Sequence, residues 1–385
     1  MTDSGTDSGG TDPSGPLAGV RVVELGTTFM VPYATELMAQ MGAEVIKVEP
    51  PAGDLVRWIA DPTGRGVGPV FMNANRGKRS VRLDLRDDGD YAAFLRLVER
   101  CDVFVHNRTP RSVASLRIGH AELSSRNPGL VYCAVRGYGE EGRYRDRPAY
   151  DDVVQAASGL AAAQTNGGEP SYVRTPVADK TTGVFALSAV LAALFERERS
   201  GRGQAVEVPM FECMAAFTLF EQQGGYVYDP PRGPAGYART AAEHRRPYRT
   251  ADGLLGVTVY TDEQWRRFFA LVDRADLAAD PRFGSVAARN DNVEELYAFL
   301  ADVLRTRSTQ EWMADFVPAG IPAMPVHGVE DLFDDPHLAD VGFFRAAEQP
   351  GVGRVRFARF PIRFSRTPAG SDGTTSEPAA PGEAR

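Results

Sequence analysis

From Leu17 to about Phe220 this chain alternates strand-length apolar runs with stretches of helical period, a pattern that commits it to an α/β layer fold. Val20–Leu25 reads as a strand, Ala34–Met41 as a helix and Glu44–Val48 as the next strand, which makes one βαβ unit. A second unit follows, with Ser80–Leu85 as strand, Asp90–Arg100 as helix and Val103–His106 as strand. In that helix Tyr91, Phe94, Leu95 and Val98 recur at three- and four-residue steps, leaving Arg96, Glu99 and Arg100 outward. Leu130–Val135 is a further short strand, and the Gly137-Tyr138-Gly139 that follows marks a loop of the kind where parallel sheets hold ligands. Ala149–Ala163 and Thr182–Arg199 read as helices; the second is apolar nearly all round before its charged end and is expected to be buried centrally.

These elements place a large domain over residues 17–224. The Gly- and Pro-rich run Asp229-Pro230-Pro231-Arg232-Gly233-Pro234 marks a linker over 225–246, leading to a smaller domain over 247–325. That domain is expected to open with a strand, Leu254–Val259, and to continue through helices at Asp262–Asp273, Asn292–Thr306 and Thr309–Val317. Residues 326–368 are expected to return to the large domain, with Gly351–Arg366 as a closing strand. Residues 1–16 and 369–385, dominated by small polar residues and proline, are expected to be disordered.

Several function classes fall away. Lys plus Arg number 43 against 51 for Asp plus Glu, so the net charge of −8 gives no long-range field for nucleic acid or anionic lipid. The longest apolar run, Val184–Phe195, ends at Glu196-Arg197-Glu198-Arg199, short of a bilayer span, and the N-terminus carries no basic region followed by an apolar one. Neither a nucleic-acid nor a membrane partner is expected. Cys101, Cys133 and Cys213 are too scattered for a disulfide framework or a zinc cluster, which fits a reducing cytoplasm.

Glu24-Leu25-Gly26-Thr27-Thr28-Phe29 has one glycine where a dinucleotide fingerprint needs three at fixed spacing. A Gly-Lys-Ser/Thr phosphate loop, a Gly-x-Ser-x-Gly elbow and a His-x-x-x-His pair are all missing, so no metal site is expected. The cationic runs Asn73–Ser80 and Asn107–Arg111 flank predicted strands; each is either a set of phosphate contacts or a solvated, ion-paired surface. Asp179 stands just ahead of the apolar helix as either an N-cap or a nucleophile, and the pattern alone favours the cap. Tyr150-Asp151-Asp152 carries the same ambiguity.

Together with Gly42–Glu49, Asn75–Leu85, Asn127–Tyr132, Arg147–Asp151, Ala178-Asp179, Ser200–Gln204, Asp335–Leu338 and Phe364–Pro368, these motifs resemble, in order, the class III CoA-transferase family, which includes formyl-CoA transferase and carnitine CoA-transferase. The resemblance implies a Rossmann-like large domain with a parallel sheet, a smaller α+β domain, and a homodimer of two chains interlocked like rings. It implies an acyl-CoA thioester and a small carboxylic acid as substrates, with no tightly bound cofactor. It makes Asp179 the nucleophile, reversing the cap reading, with the Phe29 and Met30 amides lining its carboxylate. For CoA it implies contacts at Leu83, Arg86, Asn107, Arg108, Thr109, Ala149, Tyr150 and Asp151. Pro50, Ser115 and Pro148 stand where formyl-CoA transferase has basic residues for CoA, so Arg111, Arg117 and Arg147 are candidates to replace them. Phe29 replaces that enzyme's active-site glutamine, which points to a larger or less polar acyl group. The alternatives are the sister activity, α-methylacyl-CoA racemase, whose histidine position is Tyr150 here, and a non-catalytic CoA-binding role. A phenol, with a reference pKa of about 10, is a poor base near neutral pH. Gly201 is read as the stop of the apolar helix, and Tyr237–Arg249, with Glu243, His244, Arg245 and Arg246, as either an acid-binding segment or a polar linker.

Overall fold

The computed structural model of the protein describes residues 15–165, 168–370 and 374–375. The expected lead-in 1–16 and tail 369–385 lie mostly outside the described residues. Thr375, placed in that tail, is held instead: its amide and hydroxyl donate to Gln349 Oε1 at 3.0 and 2.9 Å, and Gln349 Nε2 donates to Thr375 O at 2.9 Å. A side-chain amide offers the same donor and acceptor as a peptide, so it can dock a stray strand-like segment.

The chain divides into two compact units, one made of the described residues of Met1–Leu160, Tyr172–Ala216 and Pro336–Arg385, the other of Ala161–Ser171 and Phe217–Asp335. The sequence reading ran the large domain unbroken from 17 to 224. Ala161–Ser171 leaves it as an excursion, closed at its base by the Ser171 amide donating to Ala161 O at 3.2 Å.

The first unit is built on six parallel strands: β1 (Arg21–Leu25), β2 (Glu44–Glu49), β3 (Lys78–Arg82), β4 (Val103–His106), β5 (Val131–Arg136) and β6 (Gln204–Pro209). Their order is β3-β2-β1-β4-β5-β6, the doubly wound arrangement in which the chain reverses its direction of winding between β1 and β4. Side chains alternate between the two faces, as the strand period requires. Val22, Val103, Val105 and Val131 enter one core with helices Met30–Gln40 and Val177–Ser200, whereas Val23, Phe104 and Tyr132 enter the other with helix Asp88–Val98. Sequence reading missed β6 because this edge strand is exposed over most of its length and lacks an apolar run.

Helix Val177–Ser200 ends as expected, with Gly201 in the left-handed region at φ 73° and its amide donating to Arg197 O at 2.7 Å. It is not centrally buried all round: Ala178, Thr182, Ala186 and Val190 face the core, while Val184 is 46% and Phe195 68% exposed. Taken whole, it is also long and apolar enough to cross a membrane by length and composition, because the helix begins well before the run counted in the sequence; its packed face belongs to the core of the first unit. The expected closing strand is β11 (Gly353–Ala358); it pairs antiparallel with β10 (Phe344–Gln349) as a separate two-stranded sheet rather than with the six-stranded one.

The second unit holds an antiparallel sheet in the order β7 (Tyr248–Arg249), β8 (Leu254–Val257), β9 (Ala323–Pro325). Helices Asp262–Leu271 and Thr309–Ala319 each start on a capping box, Thr261 with Gln264 and Ser308 with Glu311. Its own core gathers Trp265, Phe268, Phe269, Leu300, Trp312 and Phe316.

Candidate active site

All strands of the large sheet run the same way, so the loops after β1, β3, β4 and β5 emerge at one edge. Phe29 and Met30 follow β1, Leu83 and Arg86 follow β3, Asn107, Arg108, Thr109 and Arg111 follow β4, and Arg147, Tyr150 and Asp151 follow β5. Helix Val177–Ser200 returns the chain to the start of β6 and so begins at that same edge, carrying Asp179 in its first turn. The edge beside the β1/β4 reversal is where a doubly wound sheet leaves a crevice for ligands.

The crevice walls are tied together. Asn107 Nδ2 donates to Thr27 O at 3.0 Å and Asn107 Oδ1 accepts from Thr27 N at 3.3 Å, a peptide-like pair linking the loops after β1 and β4. Thr27 Oγ1 also donates to Asp54 at 2.9 Å, and Thr28 holds a left-handed φ of 70°. Behind this turn runs a buried ionic chain that sequence reading did not find. Lys47 pairs with Asp54 at 2.9 Å and Glu24 at 2.7 Å, and Glu24 pairs with Lys78 at 2.8 Å. Burial pushes Glu24 up, but Lys47 and Lys78 together hold it down at about 2; burial brings Lys78 down to about 8.

Of the two readings of Asn73–Ser80, the ion-paired one holds, partly as this buried chain. Lys78 is buried on Glu24, Arg76 on Glu36 at 2.7 Å, and Arg79 pairs with Glu44. The second cationic run differs. Arg108 is half-buried and its Nε lies buried without a hydrogen-bond partner among the described residues. Burial lowers its pKa, opposed by Asp54. His106, fully buried, orients this loop: its Nδ1 accepts from Arg108 N at 3.0 Å, leaving Nε2 to meet Tyr132 OH at 2.7 Å. Burial, then Arg136 and Arg108, push His106 down to about 3, so it stays neutral and keeps that tautomer.

The remaining predicted contacts separate. The Leu83 side chain is core, which leaves only its main chain for a ligand. Thr109 caps helix Pro110–Ser115, accepting from Ser112 N at 3.3 Å. Arg86 and Arg111 are exposed, Arg147 lies 3.9 Å over the Tyr144 ring, and Arg117 is occupied by the Tyr91 ring and Asp88.

Asp179 is not the cap of its helix. Pro176 is, and Asp179 sits in the first turn with its carboxyl accepting no hydrogen bond among the described residues. Its own amide donates to Asp151 Oδ2 at 2.9 Å, while Asp151 Oδ1 accepts from Gln155 Nε2 at 2.5 Å and Gln155 Oε1 accepts from Val173 N at 2.9 Å. Asp151 is therefore a buried strut between two helix starts, not an exposed ligand contact, and Tyr150, the N-cap before it, is 70% exposed. Gln155 escaped sequence reading, although its four-residue spacing from Asp151 was the available signal. Burial first, then Asp151 and Asp152, push Asp179 up to about 7. One turn on, Gly183 meets the Phe29–Met30 turn so closely that a Cβ there would lie 3.0 Å from both Met30 O and the Tyr33 ring. The Met30 amide opens its helix and has no acceptor within it, which leaves a donor for an anion at this turn. Asp151→Asn keeps an acceptor for the Asp179 amide but removes the charge with the larger effect on its carboxyl; the ionisation of Asp179, read by carboxyl NMR, should move to lower pH, and an unchanged titration would refute that coupling. Among the described residues no group of three or more His, Cys, Asp or Glu side chains is placed to hold a metal ion.

The model of CoA-transferase family III matches residues 17–382. The chain belongs to that family. A succinyl-CoA:mesaconate CoA-transferase of Haloarcula hispanica is 34% identical over 92% of this chain and 91% of its own length. A succinate–glutarate CoA-transferase of Agrobacterium fabrum is 30% identical over 92% of this chain and 90% of its own. The crystal structure of a CAIB/BAIF family protein from Brucella suis superposes with a TM-score of 0.78 at 29% identity, covering 95% of this chain and 97% of that one. As a family III CoA-transferase, this protein is an enzyme that moves CoA between an acyl-CoA thioester and a carboxylate.

Proposed function

We propose that Asp179 carries CoA covalently during the transfer. The Asp179 carboxylate attacks the thioester carbonyl of the donor, expelling CoA thiolate and leaving a mixed anhydride. The thiolate then attacks the Asp179 acyl carbon, which releases the donor acid as carboxylate and leaves an aspartyl-CoA thioester. An acceptor carboxylate attacks that thioester, and the returning thiolate takes the acceptor's acyl group, restoring the Asp179 carboxylate. Each step exchanges one activated acyl bond for another and no proton is consumed. The observation that carries this reading is the carboxyl of Asp179, which accepts no hydrogen bond among the described residues, in the first turn of its helix at the edge where the crevice opens. Amides at the Phe29–Met30 turn are suited to the oxyanions formed at each attack.

Arg108 serves the CoA phosphates in this reading, supported by its unpartnered Nε. Arg108→Ala should raise the Kd for CoA roughly tenfold or more, the scale of a lost charge-assisted hydrogen bond; an unchanged Kd in calorimetry would remove Arg108 from the site. The acids are small dicarboxylic acids, supported by the relatives that act with mesaconate or glutarate. The working form is a homodimer, supported by the uncovered Val184, Phe185 and Phe195 of the Asp179 helix. The compartment is reducing, supported by the free thiols Cys101, Cys133 and Cys213. Racemisation lacks a second base, since Tyr150 is an exposed phenol. The test is incubation in heavy water with pooled acyl-CoA thioesters and free acids, followed by mass spectrometry of every CoA species. New thioesters free of deuterium are expected; deuterium at C2 of a branched thioester with no new species would overturn the reading in favour of racemisation.

A further inference from the structure

The second unit holds a cavity of about 470 Å³ whose lining includes Arg239, Arg245, Arg246, Tyr248, Tyr297 and Leu300, and no acidic residue. The segment Tyr237–Arg249 supplies all three arginines. Among the described residues, six arginines of this unit are matched with carboxylates: Arg266 and Arg267 with Glu263, Arg274 with Asp276, Arg282 with Asp280 and Glu295, Arg289 with Asp262, and Arg307 with Asp315. Among the described residues, Arg239, Arg245 and Arg246 have no carboxylate partner, and the buried Arg239 Nε has no hydrogen-bond partner, although the guanidinium lies 5.3 Å over the Tyr260 ring. Glu243, within the segment, is exposed, and Glu294 accepts from its amide at 3.0 Å; neither lines the cavity.

We propose that this cavity is a binding site for a small organic dianion, a dicarboxylate with a short apolar backbone. Three guanidinium groups line one concavity with no carboxylate in its wall, and a guanidinium fork matches carboxylate geometry. One carboxylate alone leaves a surplus of positive charge, which favours a ligand with two. Apart from its arginines the cavity surface is mainly apolar, and its volume lies in the range of small-molecule sites, so an inorganic ion would leave most of it unfilled. The two phenols bring donors to the same wall. The Tyr248 hydroxyl is raised by burial and by Tyr297, and the same three arginines oppose that rise. This site stands on the second unit alone and does not depend on the role given to Asp179.

Calorimetry on the full-length protein decides the matter, with succinate, glutarate, propionate and inorganic phosphate as probes. Succinate or glutarate is expected to bind more tightly than propionate or phosphate. Arg245 and Arg246 are exposed, so Arg245→Gln/Arg246→Gln should fold normally and weaken dicarboxylate binding at least tenfold. Tyr297→Phe, which removes one hydroxyl, should weaken it several-fold. Unchanged dicarboxylate affinity in the double variant, phosphate binding tighter than either dicarboxylate, or no binding heat with the wild-type protein would each overturn the proposal. CoA transfer measured on the same samples keeps this result separate from the fate of the Asp179 reading.

Discussion

Asp179→Asn should lower the rate of CoA transfer by roughly 10⁴-fold or more, the scale seen when a covalent nucleophile is removed, while raising thermal stability at pH 8. Both effects come from the same environment. The carboxyl is packed near Asp151 and Asp152, and burial together with their charges raises it to about 7 from its ordinary value of 3.8. A raised folded-state value means that the folded protein holds this proton more tightly than the unfolded chain does, so ionisation costs stability as pH climbs from about 4 through 7. Asparagine removes that cost. Its melting temperature should exceed the wild type's by a few degrees at pH 8, and the gap should close as pH falls toward 4. The wild-type transfer rate should climb through pH 7 as the nucleophile ionises. Retained turnover in the variant would end the nucleophile assignment, and a melting temperature no higher at pH 8 would show that the carboxyl is not under this strain.

Glu24→Gln should cost the fold about 3–5 kcal/mol, because it leaves the buried ammoniums of Lys47 and Lys78 facing a neutral amide. Both ammoniums and Glu24 are inaccessible to solvent, so water cannot take over the lost partner. The pH sign is opposite to that of Asp179. Glu24 is held at about 2 against an ordinary 4.5, so its stabilisation is present above that ordinary range and is lost as pH falls through about 2. Urea midpoints of variant and wild type should therefore differ widely at pH 7 and converge toward pH 2. The same chain positions Asp54, and through it Thr27 and the crevice turn, so CoA affinity should fall as well. Equal midpoints at pH 7 would show that the network contributes nothing to stability.

Pro176 and Asp179 show where sequence reading loses its grip. A carboxylate ahead of an apolar stretch looks like a cap, but the helix begins earlier than its apolar period, at Val177. Packing of the Ala178, Thr182, Gly183 and Ala186 face extends it through a Thr-Thr pair of poor helix propensity, and Thr182 Oγ1 donates back to Ala178 O at 2.7 Å. Burial that far along the helix is why Pro176, and not Asp179, is the cap.

The strands up to β5, the amphipathic helix between β3 and β4, the Gly201 stop and the three main helices of the second unit were legible because each rests on local periodicity or a single backbone preference. The sequence by itself determined an α/β sheet and the loop that carries Arg108. Pairing was decided only in the tertiary structure. Lys78, which opens β3, and Arg108, just past β4, both belong to cationic runs, yet one is buried on Glu24, 54 residues away, and the other keeps a nitrogen with no hydrogen-bond partner among the described residues. Charge is a property of a residue, but its availability to a ligand depends on which carboxylates the fold brings within a few ångströms, and no local pattern records that distance.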